Sequence, residues 1–386
     1  MTRRVIEPGA TLGVMGGGQL GRMFVHAAQA MGYFTAVLDP DPASPAGRVA
    51  HWHIQTDYLD EQGLAQLMQR SAAITTEFEN VPAAALVTLA AHRPVAPGAH
   101  PVAICQDRAA EKAQFERCGV ACAPYSVIET VEQLVGAASL LPGILKTARL
   151  GYDGKGQFAV ATPDELARAW DELKRSRCVL ERRLSLAAEA SLILARSANG
   201  DIVHFPLQRN VHRGGILAVT EVPARVDPAL EQHAIDASSA LAESMDYVGV
   251  LCVEFFVLDD DSLVANEMAP RPHNSGHYTI DACDISQFEL QIRALTGLPL
   301  VKPRLHSSAV MLNLLGERWF ASGDDVEQPP RWSDVLALDG VHLHLYAKLQ
   351  PRMGRKMGHL TITAASADAA RAVAREAASR LSIDFD

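Results

Sequence analysis

Two glutamates stand inside apolar, strand-like runs: Glu254 in GVLCVEFFVL and Glu267 in SLVANEM, with the acidic turn DDDS between the runs. The pattern predicts adjacent antiparallel strands, each carrying one carboxylate into an otherwise buried setting. Such carboxylates need cations or partners. Two of them facing one cleft suit magnesium, which takes a few hard oxygen ligands and completes its shell with phosphate and water; the alternative is a pair of salt-bridged glutamates. Upstream, KTARLGYDGKGQ (146–157) follows the apolar run GILK. Gly151, Gly154 and Gly156 allow close backbone approach, while Lys146 and Lys155 add the positive charge that a loop closing over phosphates requires. The loop lacks Walker spacing, so by itself it reads equally well as a basic hairpin turn. Beside the paired glutamates it points to a magnesium nucleotide.

A second glycine loop, GVMGGGQLGRM (13–23), contains Gly16-x-Gly18-x-x-Gly21 between a strand-like and a helix-like run. Asp39 closes the next apolar run at about the distance expected of a ribose-binding carboxylate, the outline of a nicotinamide dehydrogenase. That reading leaves the second half of the chain unexplained.

The elements that must position these residues change in texture along the chain. Through the first hundred residues, strand-like ATLGVM, FTAVLD and AAITTEF alternate with helical stretches at 19–31, 61–70 and 82–92. This rhythm predicts a small parallel sheet covered by helices. From Gln106 a helix, QDRAAEKAQFERCG, leads into β-rich segments (PGILKTA, FAVAT, CVLERRL, ASLILAR, DIVHFPL) with few helices between them. After the helix SQFELQIRALTG, GLPLVKP (297–303) reads as a linker, and the tail holds three strand candidates before an Ala/Arg-rich helix.

At 386 residues the chain exceeds one ordinary core, and 48% hydrophobic with 21% charged residues is the composition of a folded multidomain protein. A net charge of −10 opposes a nonspecific grip on nucleic acid or anionic lipid. Without a signal peptide or a span of membrane-crossing length, a cytoplasmic protein acting on metabolites is expected. The six cysteines form no C-x-x-C pair and are expected as reduced, structural thiols.

In this order, GGGQLGRM, EFENVP, QDRAAEK, ILKTARLGYDGKGQ, VEFF and NEMAPRPHNSGHYTIDAC resemble the 5-(carboxyamino)imidazole ribonucleotide synthase family of ATP-grasp enzymes, over Gly13 to about Gly358. The resemblance implies a multidomain α/β and α+β chain: a Rossmann-like domain (1–106), an ATP-grasp domain (107–298) and a small C-terminal domain (299–386). It also implies ATP-dependent carboxylation of aminoimidazole ribonucleotide by bicarbonate through carboxyphosphate in purine biosynthesis, with ATP and Mg2+, without biotin, in a homodimer.

Residue by residue, the resemblance places Arg108 and Lys146 on the nucleotide phosphates, with Gly151, Tyr152, Asp153, Gly154, Lys155, Gly156 and Gln157 as a lid. Glu181, Arg182, Arg183 and Leu184 become a hinge whose backbone reads adenine, Glu189 holds the ribose, and His212, Asn266 and Glu267 lie beside ATP. Glu254 and Glu267 are the metal carboxylates. Many ATP-grasp enzymes carry an asparagine two residues after the second glutamate; here that position is Ala269, and Asn274 is the candidate substitute. Arg271 would hold bicarbonate or carboxyphosphate, with Asp153 and Lys155 as lid catalytic candidates and Asp153 orienting or deprotonating the amine. Gln19, Leu20, Glu77, Glu79, Tyr152, Asn274, Lys348 and Arg355 face the ribonucleotide, with the choice between Glu77 and Glu79 open. Asp39 is then a strand-end residue without a cofactor. The rivals are a formate-using glycinamide ribonucleotide transformylase or another ATP-grasp ligase, against which RPHNSGH speaks, and a silent nucleotide-binding protein, which would be expected to lose Glu254, Glu267 or Arg271.

Overall fold

The computed structural model describes residues 5–151, 156–320 and 327–385. Its first unit alternates β1 (Thr11–Met15), α1 (Gln19–Ala30), β2 (Phe34–Leu38), β3 (Trp52–Ile54), α2 (Glu61–Arg70), β4 (Ala73–Thr76), α3 (Ala83–Ala90) and α4 (Ala99–Cys105). The strands pair in parallel in the order β3-β2-β1-β4. Their near-continuous apolar sequences follow from burial on both faces of a parallel sheet. Gly16 has φ +100°, a conformation that side-chain-bearing residues rarely adopt, and this lets the chain turn from β1 into α1.

Helix α5 (Arg108–Arg117), capped by the Asp107 carboxylate on the Ala109 and Ala110 amides, leads into a small antiparallel sheet. This comprises β5 (Tyr125–Ile128), β6 (Gly143–Thr147), β7 (Gln157–Val160) and β8 (Cys178–Arg182) in the order β5-β8-β6-β7, with α6 (Val131–Gly136) and α7 (Pro163–Glu172). The large sheet follows: β9 (Leu186–Arg196), β10 (Ile202–His204), β11 (Gln208–Arg213), β12 (Ile216–Val222), α8 (Pro228–Ser244), β13 (Gly249–Leu258) and β14 (Leu263–Ala269). The expectation of few helices here misses α6, α7 and α8. Residues 227–244 start with Asp227 as N-cap and Pro228 in the first turn, a signal present in the sequence but outweighed by the surrounding β-rich texture.

Beyond α9 (Thr279–Ala282) and α10 (Gln287–Thr296), the tail contributes β15 (Ser308–Leu315), α11 (Trp332–Leu336), β16 (Val341–Leu345), β17 (Lys356–Ala364) and α12 (Ala367–Arg380). Strand β15 pairs with β12, so the tail strands extend the large sheet, which runs β14-β13-β9-β11-β12-β15-β17-β16 with β10 on β9. One continuous sheet thus crosses residue 299. Helix α10 ties it to the first unit, because Phe288, Ile292 and Leu295 share a buried cluster with Leu12, Val14 and Phe24. Gln291 also donates to Thr75 Oγ1 (2.9 Å) and accepts from the Val250 amide (2.6 Å). The first sheet therefore sits as a fixed wall beside the large one. Among the described residues no helix is long and apolar enough to cross a membrane.

Candidate functional site

Glu254 and Glu267 are direct cross-strand partners in the antiparallel β13–β14 pair. Phe255 pairs with Ala265, so Asn266 is the extra residue of a bulge, a device that re-aims side chains next to a site. His273 Nε2 lies 2.9 Å from Glu254 Oε1, and His212 Nε2 lies 4.0 Å from Glu254 Oε2. Burial alone would raise the Glu254 carboxyl, but His273 and His212 together draw it down to about 2. His212 contacts Glu189 through its other ring nitrogen. Burial opposes the charged His212, yet Glu189 and Glu254 leave it more basic than usual. Glu267 is more open and pairs with Arg108 at 3.0 Å.

These residues line a cavity of about 360 Å³ together with Lys146, Gly151 and Gln157. Ile144, Leu186, Leu217, Phe256 and Met268 add an apolar wall suited to a planar base. Of these, Leu186 in particular lies in a segment that reads from sequence as ordinary strand. Lys146 Nζ is 3.0 Å from Glu181 Oε2, and the fully buried Lys112 Nζ is 3.5 Å from the same oxygen. Burial depresses the Lys146 amine and would raise Glu181, whose carboxyl the two ammonium groups hold low instead.

In the expected hinge, Glu181, Arg182, Arg183 and Leu184, the Arg182 and Arg183 amides donate to Pro124 O (2.8 Å) and Pro142 O (2.9 Å). Glu181 reaches the cavity through Lys146. Gly156, at φ +72°, accepts the Thr147 amide where the chain enters β7. Tyr152, Asp153, Gly154 and Lys155 lie outside the described residues.

A larger cavity of about 720 Å³ opens between the first unit and the tail, lined by Gln19, Leu20, Glu77, Glu79, Lys348 and Arg355. Its glycine loop is held by the protein's own carboxylates. Glu77 accepts from the Gly18 (2.8 Å) and Gly21 (3.1 Å) amides, and Asp39 from Gly17 (2.7 Å) and the Tyr58 hydroxyl (2.7 Å). Glu77 thus takes two of the N–H groups at the start of α1, and Asp39, at its strand end, anchors the loop. Glu79, by contrast, turns toward the guanidinium of Arg271.

Lys348 Nζ donates to Lys356 O (2.7 Å) and sits 5.7 Å from the Tyr346 ring, while Arg355 donates to Gln350 O (2.7 Å). Arg48 of the first unit reaches Ala347 O at 3.3 Å, pinning this basic turn across the cavity. The two cavities share Glu79, Asn80, Arg271, His273, Asn274 and Lys356. Asn274 is buried, and neither amide atom has a hydrogen-bond partner among the described residues. A buried amide without partners is costly unless a ligand completes it. His273 was missed by sequence reasoning, although it stands within the RPHNSGH stretch that the resemblance singles out.

A nucleotide-sized cavity between two β-sheets, with a lysine-bearing strand on one side and paired glutamates on the other, defines an ATP-grasp protein. The match to models of the ATP-grasp domain (residues 113–288), the ribonucleotide synthetase preATP-grasp domain (9–106) and the phosphoribosylaminoimidazole carboxylase C-terminal domain (309–373) agrees. The N5-carboxyaminoimidazole ribonucleotide synthase of Bacillus subtilis is 42% identical over 94% of this chain and 93% of that protein, and the one of Brucella melitensis 44% over 94% and 98%. The crystal structure of N5-carboxyaminoimidazole synthetase from Staphylococcus aureus complexed with ADP superposes with a TM-score of 0.90 at 37% identity, covering 98% of both chains. The Aspergillus clavatus enzyme in complex with ADP and 5-aminoimidazole ribonucleotide superposes at 0.87 with 28% identity, covering 97% of this chain and 98% of that one. The chain belongs to the N5-carboxyaminoimidazole ribonucleotide synthase family.

Proposed function

We propose that this protein joins bicarbonate to the exocyclic amine of 5-aminoimidazole ribonucleotide, converting one ATP to ADP and phosphate, in purine biosynthesis. One observation carries the reading: the nucleotide-sized and ribonucleotide-sized cavities meet at a shared wall bearing the Arg271 guanidinium and the Asn274 amide, which has no hydrogen-bond partner among the described residues.

Bicarbonate is a poor electrophile until phosphorylated. In the first step a bicarbonate oxygen attacks the γ-phosphorus and ADP leaves, forming carboxyphosphate. In the second the amine nitrogen attacks the carboxyl carbon, the C–O bond to phosphate breaks, and the amine loses a proton. Arg271 and Asn274 hold the anhydride at the junction, and Lys146 and Arg108 balance charge on the phosphates. Asp153 is the candidate to take the amine proton. The adenine hinge is the segment after Glu181, with Leu184 supplying the N–H in place of the two engaged amides. Lys348 and Arg355 grip the remote phosphate with point charge and forked hydrogen bonds, respectively.

Glu254 and Glu267 fit a magnesium ion. They are hard oxygen donors directly opposite each other in the β13–β14 pair. A two-carboxylate site suits an ion that takes the rest of its shell from phosphate and water. When bound, magnesium neutralises charge on the transferring phosphoryl group. A cytoplasmic homodimer acting only on small molecules completes the reading, supported by the net charge of −10 and the family resemblance.

The test is ADP release with ATP and magnesium. It should require both aminoimidazole ribonucleotide and bicarbonate and should be indifferent to avidin. Equal turnover with formate and glycinamide ribonucleotide would overturn the assignment.

A further inference from the structure

Strand β14 is the outer edge of the large sheet, so half of its backbone groups face away from β13. An open edge would leave those groups without ladder partners and the bulge at Asn266 without support. Helix α5 covers it with side chains. Arg108, Glu111 and Lys112 are spaced i, i+3 and i+4 and therefore lie on one helical face. They meet three consecutive residues of β14. Lys112 Nζ donates to Asn266 O at 3.0 Å, Arg108 pairs with Glu267 at 3.0 Å, and Glu111 Oε1 accepts the Met268 amide at 2.6 Å. Lys112 also reaches Glu181, the partner of Lys146, so one buried network links the strand of the second carboxylate to the phosphate lysine.

We propose that Glu111 and Lys112 are positioning residues: by gripping the backbone on either side of Glu267 they hold the β14 bulge so that this carboxylate faces the nucleotide and its metal. The proposal rests on the magnesium reading given above. Neither residue touches the reacting atoms. Loosening the grip lets Glu267 swing toward solvent.

The experiment is calorimetric titration of the full-length protein with ADP, with and without Mg2+. In the wild type, Mg2+ tightens ADP binding. Glu267→Gln removes this tightening. Glu111→Ala weakens it about tenfold, the lower end of what losing an outer-shell partner of a metal ligand costs, read as the ratio of ADP affinities with and without Mg2+ in the same variant. Glu111→Gln restores it, because its amide oxygen still accepts from Met268. Lys112→Met weakens it in the same direction as Glu111→Ala. If Glu267→Gln loses the Mg2+ effect while Glu111→Ala and Lys112→Met keep it whole, the clamp is wrong and the metal reading stands; if Glu267→Gln keeps it, the metal reading itself is wrong. Should Glu111→Ala fail to fold, hydrogen exchange of the wild-type Met268 amide decides. Strong protection on an edge strand is expected, and exchange as fast as an unbonded loop amide overturns the clamp.

Discussion

Arg271 and Glu79 form an ion pair across the boundary between the first unit and the large sheet, at the wall common to both cavities. Burial alone would raise the Glu79 carboxyl, but the Arg271 guanidinium overrides that and holds it at about 2. With an ordinary value of 4.5, this group contributes stability that is fully present above about pH 4.5 and lost as pH falls toward 2. Glu79→Gln should therefore flatten the acid limb of the stability curve between those values, measured by urea unfolding at stepped pH. An acid limb identical to wild type would show that the pair does not set it.

The same geometry places Arg271 at the junction, where a forked guanidinium matches a planar carboxylate better than an ammonium does. Arg271→Lys should lower kcat by about a hundredfold, the scale of losing an electrostatic stabiliser of the transition state, with ADP affinity unchanged. Steady-state kinetics beside ADP titration check this, and a selective loss of ADP affinity would move Arg271 to the nucleotide.

Glu267 should matter to turnover and not to the base. Glu267→Gln keeps the shape but removes the charge, and turnover should fall by about two powers of ten or more while binding of ADP without metal survives. Activity near wild type at saturating magnesium would remove Glu267 from the metal site.

Asn274 separates function from stability. Its amide has no partner among the described residues although the residue is buried, so removing it should cost the fold less than about 1 kcal/mol and can even stabilise it. Asn274→Ala should nevertheless reduce kcat by at least about tenfold, the scale of one lost hydrogen bond in the transition state. A large drop in stability with normal turnover would make the residue structural.

The basic turn is tested by Arg355→Ala and Lys348→Ala. Each should raise the Michaelis constant for aminoimidazole ribonucleotide at least about tenfold, with the constant for ATP nearly unchanged, and should increase ATP hydrolysis uncoupled from carboxylation. An unchanged ribonucleotide constant in both variants would assign the phosphate to Gln19 and Leu20 at the start of α1, the part of that turn that lines the cavity.

Much of this site was legible because its determinants are local. The alternation of GVLCVEFFVL and SLVANEM announced two paired strands, and the break in their apolar pattern marked Glu254 and Glu267. The helix over 61–70 was legible in full for the same reason: periodic apolar positions are a property of neighbours in sequence. Family motifs supplied what local patterning does not carry, such as Glu189 and His212, which by themselves look like ordinary strand residues.

What the sequence by itself determined, then, was the class of chemistry: two carboxylates in strands, two glycine loops and a basic turn. Only the tertiary structure decided how those groups are divided among partners. Glu77 and Glu79, two residues apart, have different fates, one accepting the backbone of α1 and the other facing Arg271, which is 192 residues away. Asp39 and the Gly17 amide meet across 22 residues, and Lys112 reaches Asn266 across 154. Burial and charge at such groups depend on which distant segments are packed against them, and no window of neighbouring residues contains that information.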